Sequence, residues 1–133
     1  MTEIGHTRQL MTKIFLEFPN FQILAGFDEH LNRVATRGGS GCIGGLSNLY
    51  PEICAAYTKA INDQDLEAIY RYQQKIDKLM DLYTYGTPFV PVIKKAMILR
   101  GVDIQDAYMK PLLPTNEEQT EKIIRLMQEV EAM

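Results

Sequence analysis

The residues best equipped for chemistry lie in the first third of the chain. They are the acidic pair Asp28-Glu29, His30 beside it, and the glycine-rich run "GGSGCIGGLSN" from Gly38 to Asn48. Gly39-Ser40-Gly41-Cys42-Ile43-Gly44 is a literal G-x-G-x-x-G, and Asp63 or Asp65 follows at about the distance of a ribose-binding acid in a dinucleotide fold. That fingerprint needs a strand before its first glycine and a helix after its last. Here the order is reversed: helix-forming "NRVATR" precedes the glycines and β-type "CIGGLS" follows them, so nucleotide binding is set aside. Gly38-Gly39 reads instead as a left-handed helix terminator. Gly44-Gly45 places small residues at the C-terminal end of a strand, where backbone can approach a ligand closely and where parallel α/β folds bind ligands. Tight helix–strand packing would use the same glycines.

The other reactive side chains offer less. His6 and His30 are the only histidines. Asp28, Glu29 and His30 are consecutive, and three successive residues at a helix start do not converge on one metal. A solvated or capping role suits them better, Asp being a favoured N-cap. Ser40 and Ser47 have no evident base. The tyrosines at 57, 70, 72, 83 and 85 read as helix-packing surface and the methionines as core. We expect neither metal nor cofactor.

The elements that must position these residues follow from the apolar spacing. Residues 3–18 read as an amphipathic helix stopped by Pro19-Asn20, and "FQILAGF", Phe21 to Phe27, as a buried strand. Asp28 then caps a helix, "DEHLNRVATR", and Cys42 to Ser47 forms a second strand, giving a β-α-β unit with parallel strands. Everything after Asn48 reads as helix. Pro51 opens a helix to about Ile61, and a turn at Asn62-Asp63 leads to a long helix with Leu66, Ile69, Tyr70, Ile76, Leu79, Met80 and Tyr83 on its apolar side. A further helix, "PFVPVIKKAMILR", ends at Gly101. A capping box from Thr115 to Glu118 opens the last helix, with Ile123, Ile124, Met127 and Val130 inward.

Composition bounds the rest. With 133 residues, 46% apolar and 23% charged, the chain is long enough to bury a core. A net charge of -3 with scattered lysines and arginines argues against a nucleic-acid or anionic-membrane surface. Two cysteines without framework spacing point to a reducing cytoplasm, and no apolar run suits a membrane span. One physical defect stands out. Two apolar parallel strands alone leave outer edges and a face uncovered, so other strands, from this protein or another copy, are expected to complete them.

Four stretches in register carry a resemblance: "FQILAGFDEHL", "GGSGCIGGLSNLYPE", "TPFVPVIKKAMILRG" and "KPLLPTNEEQ". Together they resemble the C-terminal half of the dihydrodipicolinate synthase / N-acetylneuraminate lyase family, Schiff-base (β/α)8-barrel lyases and aldolases acting on 2-keto acids. The resemblance runs from Glu3 almost to the end and is greatest toward the 2-keto-3-deoxy sugar-acid aldolases. Dihydrodipicolinate synthase is the runner-up, with sialic-acid lyase third. It implies an α/β fold: residues 1–62 as part of a TIM barrel (helix six, strand seven, helix seven, strand eight, helix eight) and 63–133 as a three-helix extension. It implies substrate contacts from Gly26, Asp28 and Glu29 at the mouth of strand seven, the acids toward a hydroxylated tail. Ile43, Gly44 and Gly45 would line the keto-acid pocket at strand eight. The family's Schiff-base lysine, on strand six, would fall upstream of Met1, and Lys94 and Lys95 belong to an extension helix. A fragment of a lyase, inactive by itself, is therefore expected, with a small 2-keto acid as ligand of the intact enzyme, a homo-oligomeric state, and neither nucleic acid nor membrane as partner. A non-catalytic self-associating helical module, or one half of a split barrel, is the alternative.

Overall fold

The computed structural model describes residues 11–14 and 16–133. They fold as two compact units, Met1–Gly44 and Gly45–Met133.

In the first unit, residues 11–14 and 16–17 are helical (α1). The Phe18 N–H donates to the Ile14 carbonyl at 2.6 Å, and the helix stops at Pro19, which has no N–H to continue it. The expected residues 3–10 of this helix, His6 among them, lie outside the described residues. Strand β1 (Leu24–Ala25) pairs in parallel with β2 (Gly41–Cys42), Leu24 opposite Gly41 and Ala25 opposite Cys42. Bonds from Ser40 N–H to the Ile23 carbonyl and from Ile43 N–H to the Ala25 carbonyl, both 2.8 Å, extend the ladder by one residue at each end. Between the strands run a 3-10 turn (Asp28–His30) and the short helix α2 (Leu31–Ala35). Gly38, at φ 86°, ends that segment in the left-handed conformation expected of it. Met11, Ala25 and Val34 form the core of this unit, flanked by Ile23 and Cys42.

The β-α-β order holds, but three details differ from expectation. The strands are two residues long rather than spanning Phe21–Phe27 and Cys42–Ser47. With no partner on either outer edge among the described residues, nothing there prolongs the pairing, and the backbone turns helical at Gly45, carrying Leu46 and Ser47 into α3 (Leu46–Leu49). Asp28 is also not an N-cap: that position belongs to Phe27, and Asp28 is buried inside the 3-10 turn.

The second unit is helical. Helix α4 (Pro51–Asp63) has Pro51 in its first turn, as expected. It runs past Ile61 to a left-handed cap at Gln64. Asp65 then caps α5 (Leu66–Leu79) by accepting the Ala68 N–H at 3.0 Å, so the turn falls at Gln64-Asp65 rather than Asn62-Asp63. A 3-10 turn (Met80–Thr84) leads toward α6 (Val90–Leu99), which Gly101 follows at φ 85°. Helix α7 (Glu117–Ala132) opens with a reciprocal capping box. Its partners are Asn116 and Gln119, at 2.8 and 2.9 Å, one residue beyond the expected Thr115–Glu118 pair. Asn116 holds the extended backbone a cap needs, and Asn is the stronger cap.

Leu46, Leu49, Tyr57, Leu82, Val92 and Ile123 are among the fully buried side chains of this unit. Leu66 and Tyr70 were expected on the apolar side of α5 and Ile124 inward on α7, yet all three are exposed. Helical periodicity defines a face but not how much of its length neighbouring helices cover. Arg100 ties the start of α4 to the end of α6: its guanidinium lies 4.1 Å over the Tyr50 ring, donates to the Leu49 carbonyl and pairs with Glu52 at 2.7 Å. Burial, reinforced by the Glu131 carboxylate, pushes the Tyr50 phenol up to about 12.

Candidate functional site

The chain offers chemistry at its two strand exits. After β1 comes Gly26, exposed, with open space where a Cβ would project. Phe27 and the 3-10 turn follow. Within that turn Asp28 is 6% exposed, the one buried charged residue among those described. Glu29 and His30 are half-buried, their side chains facing each other with Nε2 to Oε1 at 3.6 Å, and Phe27 meets the His30 ring edge to face at 6.2 Å between centroids. Phe27 and the Asp28–His30 turn thus hold a carboxylate pair and an imidazole directly beyond a strand end.

After β2, the Ile43 side chain is exposed and its N–H is held by the Ala25 carbonyl. Gly44 packs directly on Asp28: a Cβ at residue 44 would fall inside the Asp28 carboxylate. The glycine there is a steric requirement of the buried acid. Cys42, one step back, feels the same environment. Burial, and secondarily the Asp28 charge, pushes its thiol up to about 11, so it stays protonated and is a poor nucleophile at neutral pH. The structure therefore brings Asp28 and Gly44 together, leaves Gly26 and Ile43 exposed at the strand exits, and sets the half-buried Glu29 against His30.

Gly45 has a different neighbour, which sequence reading missed. Its N–H donates to the Tyr83 hydroxyl at 3.0 Å. Tyr83 carries no motif, and its helical spacing marked it only as a packing residue.

The remaining reactive residues are committed elsewhere. Lys94 donates to the Ala107 carbonyl and lies 4.8 Å over the Tyr108 ring, and Lys95 pairs with Asp106 at 2.9 Å; together they staple the loop after α6 to that helix. Asp63 pairs with Lys59 along α4 and Asp65 caps α5, which leaves the G-x-G-x-x-G without its ribose acid. Among the described residues no group of three or more His, Cys, Asp or Glu could hold a metal ion. No described helix is long and apolar enough to cross a membrane.

Comparison with known proteins agrees with this geometry. The putative 2-dehydro-3-deoxy-D-gluconate aldolase YagE of Escherichia coli (strain K12) is 29% identical over 127 residues, which is 96% of this chain and 42% of that protein. The probable 2-dehydro-3-deoxy-D-pentonate aldolase YjhH of the same strain is 29% identical over 120 residues, 90% of this chain and 40% of its own length. The crystal structure of YagE from E. coli K12 in complex with pyruvate superimposes with a TM-score of 0.92 at 28% identity, covering 100% of this chain and 45% of that one. The chain thus spans about two-fifths of the length of the curated relatives it matches. Its structural neighbours are TIM-barrel enzymes, and aldolases are among its relatives. The model of the dihydrodipicolinate synthetase family matches residues 3–130, and the chain belongs to that family of lyases and aldolases.

Proposed function

We propose that this chain is the C-terminal part of a Schiff-base lyase that cleaves or forms a C–C bond in a 2-keto acid, of the 2-keto-3-deoxy sugar-acid aldolase kind. Residues 1–62 supply helix six to helix eight of a TIM barrel and residues 63–133 the helical extension. The observation that carries the reading is the pair of strand exits, with a buried acid and a bare-backbone wall where barrel enzymes bind ligands. The likeness to a pyruvate-bound barrel over the whole chain supports it.

The chemistry divides between the parts. An amine must attack the ketone, and the protonated imine then accepts the electrons of the breaking C–C bond. The sequence has no lysine between Lys13 and Lys59, so neither described strand carries that amine. Upstream barrel strands supply it, and the chain by itself is inactive. Its own share is recognition. Ile43, Gly44 and Gly45 line the keto-acid end, while Gly26, Asp28 and Glu29 face the tail of the substrate. Asp28 is buried against Gly44, and Glu29, half-buried beside His30, is the acid assigned to choose among tails. The intact enzyme works in the cytoplasm as a homo-oligomer without a cofactor.

Glu29→Gln tests this in a polypeptide carrying the chain behind the six upstream strands. KM for a hydroxylated 2-keto-3-deoxy acid should rise roughly tenfold, the loss of one charged hydrogen bond. KM for pyruvate in the reverse direction should stay within twofold. Equal effects on both substrates, or none, would refute the tail-binding role.

A further inference from the structure

Gly45 sits at φ −80° and ψ −26°, angles that any residue adopts without strain. Its lack of a side chain is therefore not a backbone requirement. A Cβ there would land on the Tyr83 hydroxyl, 3.4 Å from Cζ of the same ring and 3.8 Å from the Phe89 ring. Tyr83 is not free to swing away, because its ring stacks on Phe89 with centroids 4.4 Å apart and planes 25° inclined. Tyr83 belongs to the 3-10 turn Met80–Thr84 and Phe89 is the N-cap residue of α6. The helical extension thus holds the peptide at residue 45 through one N–H···O bond of 3.0 Å and fills the place of its side chain.

We propose that Tyr83 is a positioning residue of the lyase: from the extension it fixes the Gly45 peptide and keeps the pocket wall at that point bare backbone. The identity of the pocket rests on the lyase reading above, whereas the clamp itself does not. The clamp makes two changes interdependent. Any side chain at residue 45 displaces Tyr83, and loss of the hydroxyl at residue 83 both releases the Gly45 amide and makes room for a methyl group.

The test begins with this chain, labelled with 15N-glycine. Tyr83→Phe keeps the stacked ring and removes only the acceptor. It should move the Gly45 amide proton upfield and speed its hydrogen exchange about fivefold to tenfold, with the other glycines unchanged. Gly45→Ala should lower the unfolding midpoint by roughly 5 °C or more. The same change in the Tyr83→Phe background should cost less than half of that. An unmoved Gly45 amide, or Gly45→Ala equally costly in both backgrounds, would overturn the clamp. In the barrel completed by upstream strands, Tyr83→Phe should raise KM for pyruvate roughly threefold to tenfold with kcat within twofold. An unchanged KM would overturn the positioning role. A completed barrel that forms no pyruvate adduct would refute the lyase reading and the positioning role with it, while the exchange and paired-variant results would still judge the clamp.

Discussion

The two units of this chain bury apolar surface to very different extents. Residues 45–133 enclose a helical core in which Leu46, Tyr57, Leu79, Leu82 and Val130 are all fully buried. Among the described residues up to Gly44 only Met11, Ala25 and Val34 gather into a core, while Leu16, Phe18, Phe21, Leu24 and Ile43 are 47–81% exposed. Both strand edges facing away from the β1–β2 pair lack a strand partner among the described residues. Among the described residues, the apolar side chains around β1 and β2 lack the cover that the core of the second unit has, although that unit too exposes Leu66, Tyr70, Met109 and Leu113. The proposed barrel reading would account for the contrast, since strands seven and eight of a barrel need neighbouring strands and an extension of helices does not.

The largest effects that would break this comparison concern core truncation. Leu79→Ala in α5 should cost about 3 kcal/mol by denaturant unfolding, from lost burial and the cavity left behind. Val34→Ala, in a small core already near solvent, should cost about 1 kcal/mol. Equal costs would mean that the first unit is as well packed as the second. Next in size is association. At micromolar concentration the chain should scatter light as an oligomer and bind an exposed-hydrophobe dye, through the apolar faces and strand edges of its first unit. A shortened polypeptide of residues 45–133 should be monomeric, helical and dye-free. Association that survives the deletion would place the sticky surface in the other unit and break the contrast.

Alkaline titration separates the units more finely. Cys42 and Tyr50 are both held up by burial, to about 11 and about 12. For each, the fold favours the protonated group. Its contribution is complete below the ordinary pKa and is lost as pH rises through the folded value. The first unit should therefore weaken between about pH 9 and 11 and the second between about pH 10 and 12. Thiolate and tyrosinate absorbance, each read against the midpoint of Cys42→Ala and Tyr50→Phe, would show the two steps. The smallest effect is expected at Asp106, whose carboxyl is held below its usual range first by the hydrogen bond from Lys95 and then by that from Tyr108. Its contribution is present at neutral pH and fades as pH falls through the carboxylate range. Asp106→Asn should change stability by less than about 1 kcal/mol, as exposed pairs do.

Much of this architecture was legible in the sequence because each cue was local. Pro19 and Pro51, the left-handed Gly38 and Gly101, and the β-α-β order all follow from residues that act on their own backbone. Boundaries that depend on neighbours were not legible. Strand length at Phe21–Phe27 depends on partners that the pair lacks among the described residues, and the exposure of Leu66 and Tyr70 depends on how far other helices extend. The site divides along the same line. Gly44 and Gly45 were recognisable as a close-approach point, but what approaches them, Asp28 and Tyr83, is a matter of tertiary packing. Asp28 reads as a helix cap in sequence and becomes a buried acid only once Gly44 is laid against it. Tyr83, 38 residues from Gly45, carries in sequence only the helical spacing of a packing residue.

The central claim is that this chain carries recognition surfaces of a 2-keto-acid lyase without the amine that does its chemistry. Incubation with pyruvate and borohydride, followed by intact-mass analysis and peptide mapping, tests it most directly. The chain alone should gain no adduct, while a polypeptide that joins it to the upstream strands should gain one, on an upstream lysine. A pyruvate adduct on Lys94, Lys95 or any other lysine of this chain would contradict the account and place the active site within these 133 residues.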